Sequence, residues 1–176
     1  MRNTYCNCTN LTGSPVCGNK VTNMDSAYRN CFNLTGSPVC GNNVTDMNYT
    51  YYGCTNLTGS PVCGNKVINM DHAYSFCSNL TGSPVCRPDV TSMNHTYYGC
   101  YNLYGDVCLY NVTEVEGCFY GRNTQNRLNI YTYKPTTITS ETSTRSIVGE
   151  PITWTKNSAN ACWYNTKFNI YVYQLT

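Results

Sequence analysis

The sequence predicts a repeat solenoid closed by a β-rich C-terminal cap. Leu11, Leu34, Leu57, Leu80 and Leu103 recur with an unbroken 23-residue period, the signature of stacked structural units. The phrase "NLTGSPVC" begins at Asn10, Asn33, Asn56 and Asn79. After this series the composition changes, and "RLNIYTY", "EPITWT" and "KFNIYVY" alternate apolar with polar side chains as half-buried strands do. With 41% hydrophobic residues in 176, the chain can bury a core.

One unit reads "CFNLTGSPVCGNNVTDMNYTYYG", from Cys31 to Gly53. Comparison within the chain separates positions that stay from positions that drift. Cys31, Cys54, Cys77 and Cys100 stay, as do the leucines, Val16/Val39/Val62/Val85, Cys17/Cys40/Cys63/Cys86, Val21/Val44/Val67/Val90, Met24/Met47/Met70/Met93 and Tyr28/Tyr51/Tyr74/Tyr97. These are expected to stack on their own copies as core ladders, with small Ala27, Thr50, Ala73 and Thr96 between them. Pro and Gly in "TGSP" force a bend, which leaves short extended pieces around "PVC" and "VTNM". "MDSAYRNC" has room for a turn or two of helix. Asn10, Asn33, Asn56, Asn79 and Asn102 are expected to form an internal hydrogen-bond ladder.

The period falters after Cys100, where the unit is one residue short and the next leucine is late, at Leu128. The expected organisation is therefore a repeat region over 1–122, about five units, and a terminal repeat strand with cap over 123–176. In the second segment a Thr/Ser-rich linking loop runs from Thr136 to Ser146, and Trp154 and Trp163 are expected to cover the last coil.

"CTNLTGSPVCGNKVINMDHAY", from Cys54 to Tyr74, resembles the BspA-like leucine-rich repeats. Their units run as a cysteine, two small polar residues, Leu-Thr, a short strand, Val-Thr and an apolar residue before a small-aromatic pair. This chain puts "GSP" where the family carries an isoleucine-rich strand and Pro, and "LNIYTYKP" is similar to the family's terminal "IYVP" strand. The resemblance covers about residues 5 to 133. It implies a solenoid of the leucine-rich-repeat type with short strands and short helical turns, used for adhesion and display in phages and on microbial surfaces.

Charged residues make up 11%, the formal net charge is +2 and Lys and Arg form no run, so neither nucleic acid nor a membrane surface is an expected partner. No window of about 18 apolar residues is present, and "MRNTYCNCTN" lacks an apolar signal region, so membrane insertion and secretion are not expected. The thirteen cysteines follow the repeat and are expected to be buried free thiols. Cys6-x-Cys8 lacks the second ligand pair a zinc site needs, so neither metal nor other cofactor is expected. Asn-x-Ser/Thr occurs at Asn7, Asn10, Asn33, Asn43, Asn48, Asn56, Asn79, Asn94 and Asn111, but copying of the unit multiplies it, and no glycosylation is expected.

The drifting positions carry the functional expectation. One reads Ser26, Tyr49, His72, His95, another Arg29, Tyr52, Ser75, Tyr98, and a third Phe32, Thr55, Ser78, Tyr101. Such tolerance marks exposure, and rigid aromatic side chains make contact area at low entropic cost. Arg29, Tyr49, Tyr52, His72, His95, Tyr98 and Tyr101 are the candidate binding face. His72 and His95 are two ligands, too few for a metal, and no nucleophile, base and orienting group come together, so no catalytic residue is expected. The expected function is a non-enzymatic structural or adhesive display module, a phage virion surface or fibre component made in the host cytoplasm. It would contact a protein or glycan on the host surface, other virion proteins or its own copies. The alternative is a fragment of a secreted bacterial or protist surface adhesin.

Overall fold

The computed structural model describes residues 1–139, 146–159 and 162–176. Five strands are present: β1 (Gly105–Leu109), β2 (Leu128–Thr132), β3 (Thr155–Asn157), β4 (Cys162–Asn165) and β5 (Ile170–Gln174). They form one open mixed sheet in the order β1-β2-β5-β4-β3, with β1, β2 and β5 parallel and β4 and β3 antiparallel additions. Helix α1 is four residues, Pro135–Ile138.

This overturns the expected leucine-rich-repeat solenoid with its strand and helical turn in each unit. Among the described residues, strand and helix lie only between Gly105 and Gln174, and residues 1–104 are turns joined by isolated parallel bridges such as Asn23↔Asp46 and Asp46↔Asn69. Two features of the unit explain the difference. Pro15, Pro38, Pro61 and Pro84 have no N–H to give to a ladder, so "PVC" stays outside any sheet. Where the chain reads "YGDVCL", with no proline, β1 forms, and Val107 pairs with Ile130.

The second feature is backbone handedness. "MDSAYRNC" forms no helix, because Ser26 and Asn30 are left-handed, at φ 53° and 58°. The segment is a chain of tight turns instead. Alternate N–H groups close a turn, as Ala27 does to the Met24 carbonyl at 2.9 Å, and the intervening ones cross to the neighbouring segment, as Tyr28 does to the Thr50 carbonyl at 2.9 Å. The 23-residue spacing survives as this contact register.

Met24, Leu34, Val44, Met47, Leu57, Val67, Met70, Leu80, Val90 and Met93 are buried and continuous with Leu128, Ile130, Ile170 and Val172 of the sheet. Tyr28, Tyr51, Tyr74, Tyr97 and Phe119 stack face to face through this core, with centroids 5.5 to 5.7 Å apart. Val16 departs from the expected ladder and is 63% exposed. The asparagine row is also corrected: Asn10, Asn33, Asn56, Asn79 and Asn102 are all exposed. Asn33 and Asn102 donate from Nδ2 to the Thr9 and Ser78 carbonyls at 2.8 and 2.9 Å, so the bonding is real but lies on the surface.

"LNIYT" and "IYVYQ" are strands as their alternation predicts, whereas "EPITWT" is irregular until Thr155. Trp154 and Trp163 are partly buried against the core. Of the expected Thr136–Ser146 loop, Thr136 to Ile138 belong to α1, and 140–145 lie outside the described residues. β1, before the expected 122/123 boundary, pairs with β2 after it.

Candidate functional site

Six of the seven candidate residues come together in one aromatic strip. Arg29 opens it, its guanidinium 5.0 Å from the Tyr49 ring centre and 5.4 Å from that of Tyr52. Tyr49 stacks on His72 at 4.4 Å, and His72 stacks on His95 at 4.8 Å with the planes 1° apart. Tyr98 follows, 5.7 Å from His95. Tyr101 stands apart. It is 49% exposed, it lies beside Gly121, and among the described residues no ring pairs with it.

The strip holds two further residues outside the drifting positions. Phe76 meets Tyr52 and Tyr98 edge-on at 5.5 and 5.1 Å, and Tyr120 stacks on Tyr98 at 4.8 Å. Phe76 takes a position held elsewhere by Asn30, Gly53 and Gly99, which reads as a turn residue rather than a contact. Gly99 makes room for it, since a Cβ there would lie 3.0 Å from Phe76 Cδ1. Tyr120 was hidden by the shortened unit, which displaces it from the register.

The backbone under the strip is unusual. Tyr49, His72, His95 and Phe76 all have left-handed φ, between 51° and 62°. For Tyr49 and Phe76 this costs roughly 1–2 kcal/mol, whereas histidine adopts the region more readily. The equivalent positions in other units carry Ser26 and Gly117, or Asn30, Gly53 and Gly99, which suit the turn better. The Tyr49 and Phe76 rings therefore sit where Gly or Asn would suit the backbone better.

Stacking consumes the ring faces and turns the edges outward. Arg29, Tyr49, Tyr52, His72, His95 and Tyr98 are half-buried rather than fully exposed as their variability predicts, and of the seven candidates only Tyr101 is exposed. Burial holds the His72 imidazolium disfavoured, so its pKa lies below the usual 6.5, and neighbouring His95 lowers it further. Ser75 Oγ is 3.4 Å from His72 Nδ1, but Ser75 is buried and gives its proton to the His95 carbonyl at 2.5 Å. This serine is a strut between turns, not an activated nucleophile.

The thiols are equally occupied. Cys31, Cys54, Cys77 and Cys100 each point Sγ at a tyrosine carbonyl 2.9 to 3.0 Å away. Burial pushes Cys54 up to about 12 and Cys77 well above the ordinary value, which keeps them protonated and unreactive. All thirteen cysteines are free, and among the described residues no three metal-ligating side chains cluster.

At the far end of the strip Tyr120 enters a cleft of about 250 Å³ lined by Phe119, Arg122, Thr124, Val148, Glu150 and Phe168. Arg122 is 6% exposed and gives Nη1 to the Asn123 and Asn126 carbonyls and Nη2 to those of Phe168 and Asn169, at 2.6 to 3.0 Å. It thereby ties the last turn segment to the approach of β5. Burial draws its pKa down to about 10, so it stays charged at neutral pH. No family model, curated protein or solved structure matches the chain.

Proposed function

We propose that this protein is a non-enzymatic adhesive display module, a component of a virion surface or fibre, and that the strip from Arg29 to Tyr120 is its contact face. The observation that carries the reading is the backbone: Tyr49, His72, Phe76 and His95 hold rings at left-handed positions whose counterparts in the same chain are small. The cost taken at half-buried Tyr49 and exposed Phe76 is best accounted for by what the rings touch. Tyr and Arg are the residues that most often anchor protein contacts.

A virion home is supported by the free thiols, which suit assembly in a reducing cytoplasm. The ligand is a protein or glycan on a host cell surface, or a neighbouring virion protein.

Replacement of Tyr49, Tyr52, Tyr98 and Tyr101 together by Ser tests the face. Binding to host cells and to a cell-surface glycan array should fall by at least tenfold while the thermal unfolding profile persists. Unchanged binding would sink the contact face. Mass spectrometry of purified particles tests the virion assignment, which requires the bare, unglycosylated chain among their proteins.

A further inference from the structure

Tyr101 lies outside the strip, at a register position it shares with Phe32, Thr55 and Ser78, each followed in the chain by an exposed asparagine. We propose that this side of the turn segments is a second contact face, which takes an extended, uncharged polysaccharide chain running from Phe32 to Tyr101 across the rows of Asn and Thr between them. The inference goes beyond the strip and does not rest on it.

The first ground is sameness where the surface is free to vary. In all four copies of "NLTGSP" the Asn, Thr and Ser side chains are exposed. Exposure alone does not keep a residue unchanged in this chain, since one equally exposed position reads Lys20, Asn43, Lys66 and Asp89. Packing accounts for the serines, which lie against glycines of the next segment, and bonds to carbonyls account for Asn33 and Asn102. Neither accounts for the threonines. Among the described residues only Thr58 of that row gives its hydroxyl to a protein acceptor, the Gly36 carbonyl at 3.5 Å. A row of hydroxyls that recurs once per segment and has no task inside the protein matches a ligand that itself repeats. Segments bridged in parallel lie about 5 Å apart, close to the advance of one sugar in an extended pyranose chain.

The second ground is the chemistry offered. Residues 9–14, 32–37, 55–60 and 78–83 contain no charged side chain, so the face presents hydrogen-bonding groups without a field that selects an ion. The bonds at Nδ2 of Asn33 and Asn102 fix those amides and leave each Oδ1 to accept from a sugar hydroxyl. Phe32 is 43% and Tyr101 49% exposed, and among the described residues no other ring stacks on either. Their electron-rich faces suit the C–H faces of a pyranose. The two rings stand three segments apart in the register, roughly 15 Å, so the chain rests a sugar on each ring while the sugars between meet Thr55, Ser78 and the amides.

The whole chain should be titrated with cellohexaose, a straight and neutral β-linked oligosaccharide. Cellobiose is too short to reach both rings, and maltohexaose curves the same glucose units into a helix. Cellohexaose should bind at millimolar concentration or tighter, and the two controls at least fivefold more weakly. Phe32→Ser and Tyr101→Ser should each weaken cellohexaose by at least fivefold with Tm unchanged, whereas Phe32→Tyr and Tyr101→Phe, which keep the rings, should retain it. No binding of cellohexaose, equal binding of either control, or indifference to the loss of both rings would each overturn the face. The Tyr49/Tyr52/Tyr98→Ser variant leaves Phe32 and Tyr101 in place and should bind cellohexaose as the parent does, even where cell binding through the strip is lost. Loss of cellohexaose in that variant would move the site to the strip and overturn this one.

Discussion

Tyr74 shows how one side chain can hold a unit closed. Its hydroxyl donates to the Val62 carbonyl at 2.6 Å and accepts the Val62 N–H at 3.2 Å, and Tyr28, Tyr51 and Tyr97 repeat the arrangement on Val16, Val39 and Val85. An irregular segment beside the core thus has both backbone groups satisfied without a sheet. Phe119 needs no hydroxyl, since the valine of its unit, Val107, is already paired in β1. Tyr74→Phe should therefore destabilise the protein by about 1–3 kcal/mol, the cost of unpaired buried polar groups, read from the midpoint of urea unfolding. Thiol reactivity is a second consequence. Cys8 is exposed while Cys54, Cys77 and Cys100 are fully buried carbonyl donors. Brief alkylation of the native chain followed by peptide mapping should label Cys8 and spare those three, and all thirteen should react once the chain is denatured without reductant.

β1 exists because one unit lost its proline. Its five residues lie in parallel register with β2, from Gly105↔Leu128 to Leu109↔Thr132, and Val107 and Leu109 face the core. Val107→Pro removes an N–H from the edge strand. It should lower Tm by several degrees, with the greatest rise in amide hydrogen exchange along β1 and β2 rather than in residues 1–104. The outer face of the sheet is polar and aromatic, with Tyr131 stacked on Tyr173 at 5.1 Å and Arg127 3.8 Å over Tyr171. Among the turn segments, alternation between local bonds and bonds to the next segment leaves little freedom at 24–31. Left-handed residues are part of that geometry, which is why rings could be placed there only at a cost.

Considered entire, the molecule should be most stable near neutral pH. His72 has a folded pKa below its unfolded 6.5, so the unfolded chain binds more protons below that pH and stability declines as the solution is acidified through it. The buried thiols and phenols act at the other end. Cys54, pushed from 9.0 to about 12, and Tyr51, Tyr74 and Tyr97, pushed above 10.0, stay protonated while their unfolded counterparts ionise, so stability also declines as pH rises from about 9 toward 12. Thermal unfolding followed from pH 4 to 11 should give a maximum between these limbs. His72→Asn, which keeps a residue tolerant of the left-handed backbone, should flatten the acid limb alone. An acid limb unaltered by that change would assign the loss to other groups.

Periodicity in the chain determined which side chains are internal. Leu34, Leu57, Leu80, the methionines and the tyrosines are buried because an apolar side chain that recurs every 23 residues finds its own copy beside it. The two strands with alternating patterns, β2 and β5, were legible for the same reason, and so was the nearness of Arg29, Tyr49, Tyr52, His72, His95 and Tyr98. Only the tertiary structure decided the rest. A proline and a left-handed residue in each unit withheld regular hydrogen bonding from residues 1–104, and β1 could be assigned only once β2 was beside it. Phe76, Tyr120 and the cleft at Arg122 depend on contacts between segments as far apart as Arg122 and Asn169. Burial follows from local hydrophobic pattern, whereas the pairing of backbone groups and the meeting of a charge with distant aromatic walls are set by which segments pack together.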